Sequence, residues 1–134
     1  MKISYLFVYG TLRSDFPKKS PVKNILNLYA EWWCKATVKG KLHDIDWYPG
    51  LVPSHNPQDR VSGEIFRIMD EQSLLSGLDE YEGCSENYLE PHEYRREVIP
   101  VITEEGEIVL AWVYLYNWDV NDESQIHSGD YLNP

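Results

Sequence analysis

Glu82, in the run Leu78-Asp79-Glu80-Tyr81-Glu82-Gly83, is the side chain with the strongest claim to moving protons. Helical spacing of the residues before it places it at the end of a helix. There the unpaired carbonyls make the local field negative and disfavour an anion. Asp79 lies one turn earlier, and a like charge at that distance raises a carboxyl pKa further if the group is also partly buried. A carboxyl group poised between acid and base is what proton shuttling requires. A solvated acidic helix end is the alternative reading, since charge runs usually mark a wet face.

The second chemical element is Tyr9-Gly10-Thr11-Leu12-Arg13, directly after the apolar run Ile3 to Val8. Glycine lets the chain turn sharply or approach another group closely. The amides that follow are then free to face an anion or a developing oxyanion. A strand ending in a turn with a structural glycine is the plainer possibility. Tyr94, Arg95 and Arg96 have the chemistry to orient a carboxylate or to offset acidic surface, and alternation puts Tyr94 and Arg96 on one strand face. Tyr48-Pro49-Gly50 reads as a turn. The run Trp112 to Tyr116 alternates rings across both faces, as core packing or as a pocket wall.

The elements that must position these residues follow from periodicity. Ser4 to Tyr9 is apolar on both faces and reads as a buried strand. Pro21 to Tyr29 reads as a short helix capped by Ser20, with Pro21 at its first position. Trp32 to Leu42 reads as a strand bent at Gly40, and Leu51-Val52-Pro53 as a short extended piece. Val61 to Ile68 alternates as a strand does. A helix capped by Asp70 carries Leu74, Leu75, Leu78 and Tyr81 on one side and stops at Gly83. Cys84 to Glu93 is polar loop. Tyr94 to Thr103 and Ile108 to Tyr116 form a hairpin around Glu104-Glu105-Gly106. Strand–helix alternations are too few for a doubly wound sheet. The expected fold is α+β, a small closed mixed β-barrel with short helices packed outside, as one domain over residues 1–134.

The 134 residues carry 22 Asp and Glu against 12 Lys and Arg, a net charge of −10. That balance argues against nucleic acid, whose phosphates need basic surface, and against anionic membranes. No stretch approaches the roughly 20 apolar residues of a membrane span. The amino terminus shows no signal-peptide pattern, and cytoplasm is the expected location. Cys34 and Cys84 are expected as reduced thiols. His43, His55, His92 and His127 show no metal-ligand spacing and read as surface or loop histidines.

Together these segments resemble the gamma-glutamylcyclotransferase-like superfamily of small mixed barrels. The resemblance runs almost end to end. It rests on Val8 to Arg13, Tyr48-Pro49-Gly50 with Val52-Pro53, Val61 to Phe66, Leu78 to Gly83, Tyr94-Arg95-Arg96, Ala111 to Tyr114 and Ser128-Gly129-Asp130. It implies Glu82 as the proton-shuttling catalytic residue, with Tyr9, Gly10, Thr11, Leu12, Tyr48, Tyr94 and Arg96 binding substrate. Tyr88 and Tyr94 both suit the tyrosine place after the glutamate, and Tyr94 is favoured because Arg96 follows it. The implied reaction turns a gamma-glutamyl amine or amide into 5-oxoproline and free amine, with no metal or organic cofactor. The loop reads Gly-Thr-Leu in place of Gly-Ser-Asn, which favours the gamma-glutamylamine branch. A non-catalytic binder of the same fold is the alternative, and a protein docking a basic partner is a third reading.

Overall fold

A computed structural model of the chain describes residues 2–134. Five strands close a barrel in the order β1 (Tyr5–Val8), β5 (Arg60–Ile68), β2 (Ala30–Lys39), β6 (Tyr94–Thr103) and β7 (Ile108–Tyr116). β1 runs antiparallel to β5 and parallel to β7, where Leu6 opposite Trp112 closes the ring. The barrel is therefore mixed, as expected. Both faces of β1 are covered because they serve two clusters: Phe7 packs inside with Val61, Ile65 and Val113, while Leu6 and Val8 pack against the helices.

Helix α1 (Pro21–Tyr29) starts where Ser20 accepts from the Lys23 amide and Pro21 enters the first turn without a wasted donor. Helix α2 (Glu71–Glu82) starts at Asp70, whose side chain accepts from the Ser73 amide, and stops at Gly83 with φ of 71°, a conformation that favours glycine. Leu26 of α1 and Leu74 and Leu78 of α2 are fully buried with Leu6. Each such side chain contributes about 1.5–3 kcal/mol. Their burial fixes α2, and therefore its last residue, against the outside of β1. Tyr81 does not share the leucine stripe and is largely exposed.

Three further expectations need correction. The strand from Trp32 does not continue through Gly40. It ends at Lys39, and β3 (Lys41–Asp44) turns off to pair with β4 (Pro49–Val52) as a separate ribbon. Pro49 and Gly50 lie inside β4 rather than in a turn, opposite Asp44 and His43. Proline is tolerated there because it is the first residue of a strand in a two-stranded ribbon. The turn itself is Ile45 to Tyr48, closed by the Ile45 amide donating to Tyr48 O at 3.0 Å. His43 is not a surface histidine. It is buried in β3, its Nδ1 2.8 Å from Ser124 Oγ, and burial holds its pKa below the ordinary value.

Candidate active site

Four segments meet around one cavity of about 320 Å³, a size suited to a small molecule. The end of β1 and its following loop supply Phe7 to Leu12, the turn into β4 supplies Tyr48 and Pro49, the end of α2 supplies Tyr81 and Glu82, and the β6–β7 hairpin with the residue before it supplies Glu93, Tyr94 and Tyr114. Tyr9, Gly10, Thr11, Leu12, Tyr48, Glu82 and Tyr94 thus share one lining. Arg96 is not part of it.

The loop after β1 is held from both sides. A Cβ on Gly10 would stand 2.5 Å from Pro49 Cγ, so the glycine is needed for close approach of β4. The Arg13 amide donates to Gly10 O at 3.0 Å, closing a turn. Its central amides, Thr11 and Leu12, make no backbone hydrogen bond among the described residues. Just beyond, the Ser14 amide and hydroxyl both donate at 2.6 Å to Glu64, a buried residue of β5 that also accepts from Trp32 Nε1 at 2.9 Å. Buried Arg13 donates to Asp15 and to Asp130. Ser128, Gly129 and Asp130 therefore do not line the cavity; Asp130 anchors the loop from behind.

Glu82 is the last residue of α2 and only partly exposed. Among the described residues no hydrogen bond reaches its carboxyl group. Burial raises its pKa first, then the negative charges of Glu93 and Asp79, to about 8 against an ordinary 4.5. The group is thus poised to hold or release a proton near neutrality.

The tyrosines are mostly committed to the framework. Tyr9 Oη donates to Tyr114 O at 2.6 Å and accepts from the Leu51 amide at 3.2 Å. Tyr94 Oη donates to Pro49 O at 2.7 Å. Burial, with Glu82 adding to it, pushes the pKa of Tyr9 well above that of a free phenol, and burial does the same at Tyr94. Both stay neutral and present rings to the cavity. Tyr88, the other candidate for the tyrosine place, is exposed and absent from the lining.

Asp79 faces away into an ion pair. Arg96 Nε donates to its Oδ1 at 2.8 Å and Nη2 to its Oδ2 at 3.0 Å, while Tyr114 Oη donates to Oδ1 at 2.7 Å. Burial works against the Asp79 charge, but these hydrogen bonds outweigh it and hold the pKa below the ordinary value. Arg96 also stacks 4.4 Å from the Trp112 ring centre. Its Nε and Nη2 are engaged with Asp79, and it lines a shallow groove with Lys2 and Glu71 instead of the cavity.

Sequence reasoning passed over Glu93. It sits in the polar segment just before β6, and Tyr48 Oη donates to its Oε2. Its one visible signal is adjacency to Tyr94. No group of three or more His, Cys, Asp or Glu able to hold a metal ion occurs among the described residues. No described helix is long and apolar enough to cross a membrane. The site's chemical assets are two carboxyl groups, that of Glu82 without a hydrogen-bond partner among the described residues, in one aromatic cavity lined also by Thr11 and Leu12.

Comparison with known proteins bears on this arrangement. A family model described as gamma-glutamyl cyclotransferase, AIG2-like, matches residues 6–133. A putative gamma-glutamylcyclotransferase from Vibrio cholerae is 33% identical over 126 residues, 94% of this chain and 93% of that protein. The Troponin C-akin-1 protein of Drosophila melanogaster is 35% identical over 121 residues, 84% of this chain, but the match takes in only 66% of that relative. The solved structure of an AIG2-like protein from Mus musculus superposes with a TM-score of 0.65 at 22% identity, covering 100% of this chain and 97% of that one. It shares the fold.

Proposed function

For a chain that belongs to the gamma-glutamyl cyclotransferase, AIG2-like family, we propose conversion of a gamma-glutamyl amine or related amide into 5-oxoproline and free amine, with Glu82 carrying the protons. The observation behind this is the Glu82 carboxyl group, without a hydrogen-bond partner among the described residues, lining the same cavity as Thr11 and Leu12, whose amides make no backbone hydrogen bond among those residues.

The substrate supplies its own nucleophile. Its alpha-ammonium gives a proton to the Glu82 carboxylate, and the freed amine attacks the gamma-carbonyl carbon. The carbonyl oxygen takes up the negative charge. Collapse of the adduct breaks the bond to the departing nitrogen, which receives the proton back from Glu82; the regenerated carboxylate then takes the second proton from the ring nitrogen and passes it to the free amine, which leaves as ammonium. One C–N bond forms and one breaks; no water is consumed and nothing is oxidised. The amides of Thr11 and Leu12 suit the substrate carboxylate or the developing oxyanion. Holding the substrate folded contributes because amine and carbonyl belong to one molecule. An incoming ammonium also offsets the burial that keeps Glu82 protonated, so binding itself lowers the pKa toward the basic form.

Tyr9, Gly10, Tyr48 and Tyr94 shape the cavity around the substrate. Arg96 acts behind it, through Asp79. Free thiols at Cys34 and Cys84 accord with a cytoplasmic setting. The test is release of 5-oxoproline from a panel of gamma-glutamyl amines by the wild type and by Glu82→Gln. Loss of about 100-fold or more is expected from removing a general acid–base. Equal turnover by both proteins excludes Glu82 from the chemistry. Saturable binding without product in the wild type selects the non-catalytic binder.

A further inference from the structure

Glu93 gives the cavity a second carboxyl group that carries no proton in the reaction just described. The two acids come from different elements, Glu82 from the end of α2 and Glu93 from the residue before β6. The lining contains no Lys, Arg or His among the described residues. Tyr48 Oη donates to Glu93 Oε2, which fixes the carboxyl group and leaves Oε1 without a donor among the described residues.

Aromatic rings continue outward from the same place. The Tyr48 ring centre lies 6.3 Å from that of Tyr94, Tyr94 lies 5.4 Å from Tyr116, and Tyr116 lies 6.5 Å from Trp118. Trp118 is half exposed, so the aromatic run reaches the surface. Ring faces attract cations, and a carboxyl group beside them strengthens the preference. A neutral group placed here would strip water from Glu93 without replacing it. An anionic group would meet two acids and no cation.

We infer that Glu93 and Tyr48 form a subsite for a positively charged group on the leaving amine. The favoured substrate is then a gamma-glutamyl conjugate whose amine portion keeps a second, protonated nitrogen. This rests on the cyclotransferase reading above. Glu82 serves the nucleophilic nitrogen and Glu93 the far end of the departing one.

The test compares mono-gamma-glutamyl-1,4-diaminobutane with gamma-glutamyl-pentylamine, which replaces the terminal ammonium by methyl at equal length. The wild type is expected to show kcat/KM at least about tenfold higher for the diamine conjugate, a preference that shrinks in 0.5 M salt. Glu93→Gln keeps an acceptor for Tyr48 and should bring the ratio to within about threefold of one. A wild-type ratio near one overturns the inference. So does an equal loss on both conjugates in Glu93→Gln, since Glu93 would then serve the shared alpha-ammonium. If neither conjugate releases 5-oxoproline, the cyclotransferase reading fails separately. Calorimetric titration of both conjugates into Glu82→Gln then decides the subsite. Tighter binding of the diamine by about tenfold upholds it, and equal or absent binding overturns it.

Discussion

Arg96 holds both carboxylate oxygens of Asp79, at 2.8 and 3.0 Å, one helical turn before Glu82. The pair lets an aspartate sit beside the candidate catalytic acid while most of its charge is cancelled. Arg96→Ala should leave that charge unpaired and remove the stacking on Trp112. We expect a loss of about 2–3 kcal/mol, because the pair is only partly buried. The freed Asp79 charge should also raise the Glu82 pKa further, moving the acid limb of kcat/KM to higher pH. Arg96→Lys keeps the charge without the two-pronged grip and should fall between. Denaturant melts and pH profiles of the three proteins measure both effects. An unshifted acid limb in Arg96→Ala would mean that Asp79 has no influence on Glu82.

The pH dependence of the wild type follows from Glu82 itself. Its pKa is raised from 4.5 to about 8 in the folded protein, so between those values the folded chain binds more protons than the unfolded one. Stability from this group is therefore full below about pH 4.5 and is lost as pH rises through about 8, a change on the order of a few kcal/mol. Activity moves the opposite way, since the empty enzyme's base forms only as Glu82 ionises, and kcat/KM should climb to a plateau above pH 8. Glu82→Gln should abolish this contribution to the stability slope. The check is urea unfolding of both proteins from pH 5 to 9; parallel curves would show that Glu82 titrates normally.

Local signals carried much of this into the sequence, and contacts between distant segments carried the rest. The cap at Asp70, the stop at Gly83 and the leucine spacing between them belong to one short stretch, so α2 and the place of Glu82 at its end are readable without a fold. The hairpin of β6 and β7 is likewise local. Arg96 reads equally well as a ligand for substrate or as half of an ion pair, and only the packing of α2 against β6 and β7 brings Asp79 and Tyr114 to it. Pro49 and Gly50 have turn chemistry, yet Gly10 and Tyr116 press against them from elsewhere and make them strand. Glu93 looks like one more acid in a polar loop until Tyr48 is seen to bond it.

Gly10→Ala tests whether the loop glycine serves packing. The added methyl would lie 2.5 Å from Pro49 Cγ and 2.9 Å from Cδ. The proline ring belongs to β4, and its carbonyl accepts from Tyr94, so it has little room to yield. The expected cost is about 1–3 kcal/mol from overpacking. The cavity wall should move with it, raising KM more than stability alone explains. Thermal melts and steady-state kinetics on the same sample separate the two. Unchanged melting would show that β4 relaxes freely and that the glycine is needed for some other reason.

Glu64→Gln addresses how the loop amides are kept in place. Three donors converge on the Glu64 carboxylate: the Ser14 amide, the Ser14 hydroxyl and Trp32 Nε1. An ionised carboxylate accepts all three, whereas an amide turns one of its ends into a donor. Ser14 Oγ has the freedom to rotate and accept; the Trp32 indole and the Ser14 backbone do not. One donor is then left unsatisfied beside a residue that is 3% exposed, at a cost of about 1–3 kcal/mol. Ser14 follows the turn that presents Thr11 and Leu12, so loosening it should raise KM severalfold while kcat at saturation changes less. Trp32 emission supplies a readout independent of activity, since its indole loses a charged acceptor. A variant with altered emission but unchanged KM would show that the loop holds its shape through Arg13 and Asp130 alone.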